Sequence, residues 1–549
     1  MAICPQFASP MHFPLLLTEA ALEDPLIEEG LRRFLLVLSV SLGVATLSRA
    51  LSWLRNIPYT LLLLLVGLGL ATIDVRLINL SPELILFIFL PPLLFEAAWN
   101  IKWSNLKNDW LPISLFAIIG VIICVGGLFL GLQQFAGASL ATALLVGAGL
   151  SATDPVSVVA LFRELGVDKR LTTLMEGESL FNDGVAVVAY NLLLGIALGL
   201  EQFDIPVTVS RFLVFVGIGL SIGGLIGFGI SYLTQRFDLP LVEQSLTLVS
   251  AYGTYLVAEQ LGGSGVIAVV TTGLILGNFG SRIGMSPRTR LSVSEFWDFV
   301  AFFVNSIVFL LIGDQVIFQG LIDNLPTIVI AILVMLLARA VSIFGLSQIS
   351  NWWDDSDINW QNQIVLWWGG LRGSVSVALA LSVPESLPER DDIIAIIFGV
   401  MLFTLLVQGL TTKPILQALK LLGDQPLRQE FSQTIARRVA LSRVLDELQD
   451  VKQKNLIDSE YCDYQIALVG GQLEEIQEEM RVQQRDHPEL SEILIGRLNE
   501  NLVAIEADTY AQFIRAGYLK EEITPLLESL LEKTDAQESK KSEAPELLS

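Results

Sequence analysis

Residues 147–162 read GAGLSATDPVSVVALF, an apolar run with Thr-Asp-Pro at its centre. The hydrocarbon core of a bilayer offers no water to stray backbone groups, so a spanning segment is expected to be helical throughout. Pro155 removes a backbone donor and disfavours helix at Asp154, which predicts a break at Thr153–Asp154. A break at mid-depth frees carbonyls and exposes half-helix ends, where an ion can bind. A second such place lies downstream. Residues 367–381 read WWGGLRGSVSVALAL, with Gly369, Gly370 and Gly373 around Arg372.

The surrounding chain has the composition of a membrane protein. Of 549 residues 52% are hydrophobic and 17% charged, with mean hydropathy +0.60, against about 25% charged in ordinary soluble domains. This excludes a disordered chain, a soluble multidomain enzyme and a nucleic-acid binder with a basic surface. At about 20 apolar residues per crossing, thirteen spans are expected. They lie near 34–54, 57–75, 82–99, 111–133, 138–162, 171–200, 211–235, 243–261, 263–280, 293–317, 325–348, 362–384 and 391–413. The fold class is an all-α polytopic membrane protein with thirteen transmembrane helices. The two breaks fall in spans 5 and 12. With span 7 as a linker, each is fifth in a set of six, and the odd offset inverts their orientation, as two inverted six-helix repeats require.

Lysine and arginine number 11 in loops after odd spans and 5 on the other side, which places the N-terminus outside and the C-terminus in the cytoplasm. Residues 1–33 then form an extracytoplasmic segment without a signal-peptide pattern, and 34–420 the transmembrane domain. The net charge of -23 divides in two. Residues 421–549 hold 14 Lys and Arg against 26 Asp and Glu, a soluble acidic tail with apolar positions at helical spacing. It reads either as a solvated helical appendage or as a regulatory domain, ending in a disordered stretch.

Cys4, Cys124 and Cys462 are too dispersed for a disulfide or thiolate framework, and His12 and His487 lie outside the spans. Proton handling within the membrane therefore falls to carboxylates. Intramembrane charges are costly and ask for a function or a partner. They are Glu96, Asp154, Glu178, Asp183, Glu259, Arg339 and Arg372, with Glu176 and Asp314 near span ends. In MEGESLFNDGVAVVAYN, Ser179 and Asp183 share a helix face, and Glu178 and Asn182 form the neighbouring pair. In FLPPLLFEAAWN, Pro91 and Pro92 disturb the helix before Glu96. Together these residues offer carboxylate, hydroxyl and carbonyl oxygens, the ligands a monovalent cation takes. Burial penalises a charged carboxylate, so Asp183 is expected to hold a proton or a cation, but not both. Arg372 with Glu178, and Arg339 with Glu259 as a possible second pair, are expected to brace the bundle. Gly219, Gly223 and Gly227 form a small-residue row expected to pack helices within one chain.

At FLPPLLFEAAWN, SATDPVSVVALF, GESLFNDGVAVV, FFVNSIVFLLIG and WWGGLRGSVSVAL, in that order, the chain resembles sodium/proton antiporters of the NhaP/NHE type in the monovalent cation:proton antiporter-1 family, with the character of its cyanobacterial members. The likeness covers residues 34 to 420. It implies a homodimer of thirteen-span subunits, each with a dimerisation domain and a mobile core in which helices 5 and 12 cross as unwound segments. Residue by residue, it implies that Asp183 is the essential cation- and proton-binding carboxylate, beside Asn182. Asp154 and the Thr153 carbonyl would lie at the crossing, Ser179 and Glu96 would complete a sodium site, and Glu178–Arg372 would match the family's buried ion pair. Electrogenic relatives carry two adjacent aspartates and a lysine on span 10. Here Asn182–Asp183 and a lysine-free span 10 imply electroneutral one-for-one exchange.

The expectation is thus a sodium (or lithium)/proton antiporter of the plasma membrane working by alternating access, without a cofactor. A thylakoid-type membrane and an unknown regulator of the tail stay open. A potassium/proton antiporter of the same family is the near alternative. An intramembrane aspartyl protease using Asp154 and Asp183 is the rival from another class, although its GxGD signature is absent. A cation channel is the third, and the chain has no repeated filter sequence.

Overall fold

The computed structural model describes residues 25–487, apart from 52–56, 73–76, 78–79, 201–203, 235–238, 355, 423–424 and 454–458, with a few further positions between 495 and 510. Most of the segment expected at 1–33, and the tail's expected disordered end, lie outside the described residues.

The described backbone is almost entirely helical, with short non-helical links between the elements. It runs α1 (Pro25–Ala50), α2 (Tyr59–Thr72), α3 (Leu84–Asn100), α4 (Trp103–Asn108), α5 (Trp110–Ala136), α6 (Leu140–Gly149), α7 (Val156–Leu165) and α8 (Lys169–Ala197). Then follow α9 (Ile205–Thr234), α10 (Pro240–Gln260), α11 (Gly265–Ser281), α12 (Pro287–Asp314), α13 (Phe318–Asp323) and α14 (Leu325–Asp354). The last membrane elements are α15 (Trp360–Trp368), α16 (Ser374–Leu381) and α17 (Arg390–Ala418), and the tail forms α18 (Gln425–Gln453) and α19 (Ser459–Asp486). Seven of these, α1, α5, α8, α9, α12, α14 and α17, are long and apolar enough to cross a membrane on their own, and α2, α3, α6 and α11 are shorter apolar helices. Large apolar side chains such as Leu225 and Leu241 stand more than two-thirds exposed, as lipid-facing positions do.

Local chemistry explains the boundaries. Ser139, Ser264, Ser286 and Asn359 each cap a helix start by accepting a backbone N–H from three residues on, and Gly166 ends α7 in the left-handed conformation at φ 65°, which costs glycine little. Before Pro91 and Pro92, α3 widens into a π-helical turn over Leu84–Phe89, a local adjustment that absorbs the missing donors. The helix α1 starts at Pro25, earlier than the apolar run at 34, because polar residues can extend a helix beyond the stretch that hydropathy marks.

Two bundles result. α2 packs closely on α12, and α11 on α3, α9 and α10. Gly67 and Gly313 face each other so closely that a Cβ on either would enter the opposite backbone. Gly219, Gly223 and Gly227 lie against α11, at the Ser264 and Ala268 carbonyls and Ile275, so this row packs helices of one chain. The second bundle gathers α5, α6, α8, α14, α16 and α17, with α7 resting on α8 and the end of α17. The tail helices α18 and α19 pack on each other around Phe431, Ile435, Ile476 and Met480.

Candidate functional site

The two expected breaks are present, and they meet. Helix α6 ends at Gly149 and α7 starts at Val156; α15 ends at Trp368 and α16 starts at Ser374. The non-helical links cross, and the Asp154 N–H donates to the Leu371 carbonyl at 2.8 Å. Four half-helix ends converge there. Unpaired N–H groups at a helix start carry partial positive charge, and unpaired carbonyls at a helix end partial negative charge.

Side chains of both signs answer these ends. The Asp154 carboxylate accepts the Val156 N–H at 3.0 Å and the Ser374 N–H, the first amides of α7 and α16. Gly373 makes this possible, since any Cβ there would fall inside the Asp154 carboxyl group. Arg372 donates to the carbonyls of Ala152 at 3.0 Å and Ser151 at 3.4 Å, just past the end of α6. Its own N–H is held by the Thr404 hydroxyl at 3.1 Å. Arg339 donates to the carbonyls of Leu366 at 2.8 Å and Trp367 at 3.1 Å, at the end of α15. One arginine thus caps each broken helix, and one aspartate serves both restarts.

This arrangement corrects both expected ion pairs. Glu178 is bound by Arg339 through two hydrogen bonds, 2.9 Å and 3.1 Å, and not by Arg372. Glu259 accepts the Gly265 N–H at 2.9 Å, at the turn into α11. Arg339 reaches Glu178 because α14 lies tight on α5, where Gly120 meets Ser342 and Gly127 meets Ala338. Arg372 is drawn instead to the carbonyls freed by the break at Asp154. A cavity of about 10 Å³, lined by Cys124, Ser151, Glu178, Asn182, Arg339 and Arg372 among others, separates the two systems.

Asp183 sits beside the crossing on α8, 8% exposed. Its Oδ1 is buried without a hydrogen-bond partner among the described residues. Its charged neighbours are Asp154 and Arg372. The preceding turn of α8 fastens the first link. The Asn182 amide donates to the Thr153 hydroxyl at 2.5 Å and accepts the Thr153 N–H at 3.1 Å. The Ser179 hydroxyl donates to the Thr153 carbonyl. Asp183, Asp154, Thr153, Ser179 and Asn182 are therefore brought together. Glu96 is not joined to them. It accepts from Asn100 at 2.6 Å, and its charged neighbours are Asp298, Arg163 and Glu176. Sequence reasoning missed Arg339 as the partner of Glu178 and Gly373 as the seat of Asp154. The preference of cations for helix C-terminal ends was the available signal for Arg372.

Crossed broken helices, buried carboxylates and apolar helices define a multi-span membrane transporter of ions. Residues 37–418 match the family described as sodium/hydrogen exchanger, transmembrane, and the chain belongs to that family. It is 61% identical to the Na(+)/H(+) antiporter ApNhaP of Aphanothece halophytica, over 94% of this chain and 99% of the relative. It is 58% identical to the low-affinity Na(+)/H(+) antiporter NhaS1 of Synechocystis sp., over 92% of this chain and 96% of that one. Among solved structures, the sodium proton antiporter MjNhaP1 from Methanocaldococcus jannaschii superposes with TM-score 0.58 at 21% identity, over 73% of this chain and all of that one; this likeness bears on the fold.

Proposed function

We propose that the chain exchanges sodium, with lithium as a surrogate, for protons across a membrane by alternating access, and that Asp183 is the group for which the two ions compete. The observation that carries this reading is the unpartnered, buried Oδ1 of Asp183 beside Asp154 and the Thr153–Ser179–Asn182 cluster. A carboxylate oxygen with no internal donor keeps its lone pairs for an incoming ion. Protonation cancels the charge that attracts the cation, so the two occupants exclude each other. Asp154, engaged by two half-helix starts, supplies negative potential nearby. That engagement also weighs against the protease reading, which needs both aspartates free to share a proton and a water.

Exposed Val156, Ala160 and Arg163 continue from Asp154 along α7, whereas Tyr190, two turns beyond Asp183 on α8, is buried. This supports access from the Arg163 end. With the N-terminus outside, that end is cytoplasmic, and the acidic tail lies on the same side. Thirteen crossings, a homodimer and one-for-one electroneutral exchange complete the reading; the Asn182–Asp183 pair supports the stoichiometry. Potassium is the alternative cargo.

Everted vesicles carrying a pH-sensitive dye test the proposal. Added sodium should dissipate an acid-inside gradient, at the same rate with the membrane potential clamped, and Asp183→Asn should abolish the response. Sodium-dependent proton movement that survives in Asp183→Asn would remove Asp183 from the site. A response to potassium equal to that to sodium would change the cargo.

A further inference from the structure

The two bundles meet along a seam built at several points from small and apolar groups. Gly184 of α8 lies against Ile267 and Val266 of α11, and Gly409 of α17 against Leu61 of α2. One contact there is different in kind. Thr60 Oγ1 of α2 and Ser157 Oγ of α7 stand 2.6 Å apart, and the two residues are 7% and 4% exposed.

Both ends of this bond are anchored. Thr60 follows Tyr59, whose hydroxyl lies within hydrogen-bond distance of the Ser41 carbonyl at 3.1 Å and the Ser306 hydroxyl at 2.9 Å and whose ring stacks on Phe302. The first turn of α2 is thereby fixed within the first bundle. Ser157 lies in the first turn of α7, one turn past Asp154, whose carboxylate holds the Val156 amide. The bond therefore ties one bundle to the half-helix start that carries part of the ion site in the other.

We propose that the Thr60–Ser157 hydrogen bond is a latch that holds the two bundles in this arrangement and has to break in every transport cycle. The proposal rests on the alternating-access reading above. When one bundle slides on the other, apolar contacts exchange for similar ones at little cost. A directional bond between two hydroxyls has no such substitute across the seam, and each group must turn to water or to its own helix. The latch thus favours one of two arrangements, by roughly three- to tenfold in their ratio for a bond of ordinary net strength.

Introducing cysteines by Thr60→Cys and Ser157→Cys tests the need for breakage. Oxidation should join them and stop sodium-dependent proton movement, and a thiol reductant should restore it. Restored transport after reduction also keeps the antiport reading intact, separating the two ideas, as does Asp183→Asn, which should lose transport while the cysteine pair still cross-links. Transport by the fully oxidised pair overturns the latch. Thr60→Val and Ser157→Ala should each shift the apparent KM for sodium by roughly three- to tenfold, and the double variant by no more than either. Thr60→Ser, which keeps the hydroxyl, should behave as the parent. Strict additivity of the two shifts, or a shift as large in Thr60→Ser, overturns it as well.

Discussion

Glu178 and Arg339, 161 positions apart in sequence, face each other through two hydrogen bonds of 2.9 Å and 3.1 Å, both side chains less than a tenth exposed. Arg339 also holds the last carbonyls of α15. The pair therefore joins α8, which carries Asp183, to α14 and to the end of a broken helix.

Removing one member of such a pair leaves an uncompensated buried charge, typically worth about 3–5 kcal/mol. Glu178→Ala and Arg339→Ala are each expected to lower the unfolding midpoint and the membrane yield. A Glu178→Leu/Arg339→Met double variant is expected to recover part of the loss. Thermal unfolding followed in detergent checks this, and two single losses that add in the double variant would refute the pairing.

A methyl group at Gly373 would strike directly at the proposed ion site. Gly373→Ala places its Cβ inside the Asp154 carboxyl group, so Asp154 must abandon the starts of α7 and α16. Transport is expected to fall at least tenfold while the chain still inserts. Gly69→Ala, with open space around it, is the control and should transport as the parent does.

Arg372 acts on carbonyls, so charge by itself is expected to be a partial substitute. Arg372→Lys should keep part of the transport rate and Arg372→Ala little, with sodium KM moved less than the maximal rate. A ligand role would reverse that pattern, raising KM first.

The competition proposed at Asp183 sets the sign of the expected pH dependence. As pH falls, protons should occupy Asp183 and the apparent KM for sodium should rise, approaching tenfold per pH unit where the carboxyl is mostly protonated. The maximal rate at saturating sodium should change much less. Initial rates over a grid of pH and sodium concentration test this, and a KM independent of pH would exclude competition.

The tail cluster of Phe431, Ile435, Ile476 and Met480 is internal to α18 and α19. Ending the chain after Leu421 is accordingly expected to leave sodium-dependent proton movement in place. Complete loss of transport would give the tail a part in the exchange itself.

The elements and their punctuation were legible in the chain because they depend on local properties. Apolar run length marks helices, Pro155 and the Gly369–Gly373 run mark breaks, and helical spacing puts Ser179 beside Asp183. Asn182 and Thr153 were legible as neighbours of the acid, although their paired hydrogen bonds were not. Partner choice is another matter. Two arginines and three glutamates within the spans admit more than one pairing, and the sequence carries no record of how far helices are rotated about their axes. Only the packed bundles decide that Arg339 takes Glu178, that Arg372 turns to the carbonyls past α6, and that Glu96 stands with Arg163 and Glu176. The physical reason is range. Backbone restriction and hydropathy act within a few residues, whereas a buried charge settles wherever the whole fold places the strongest compensating dipoles.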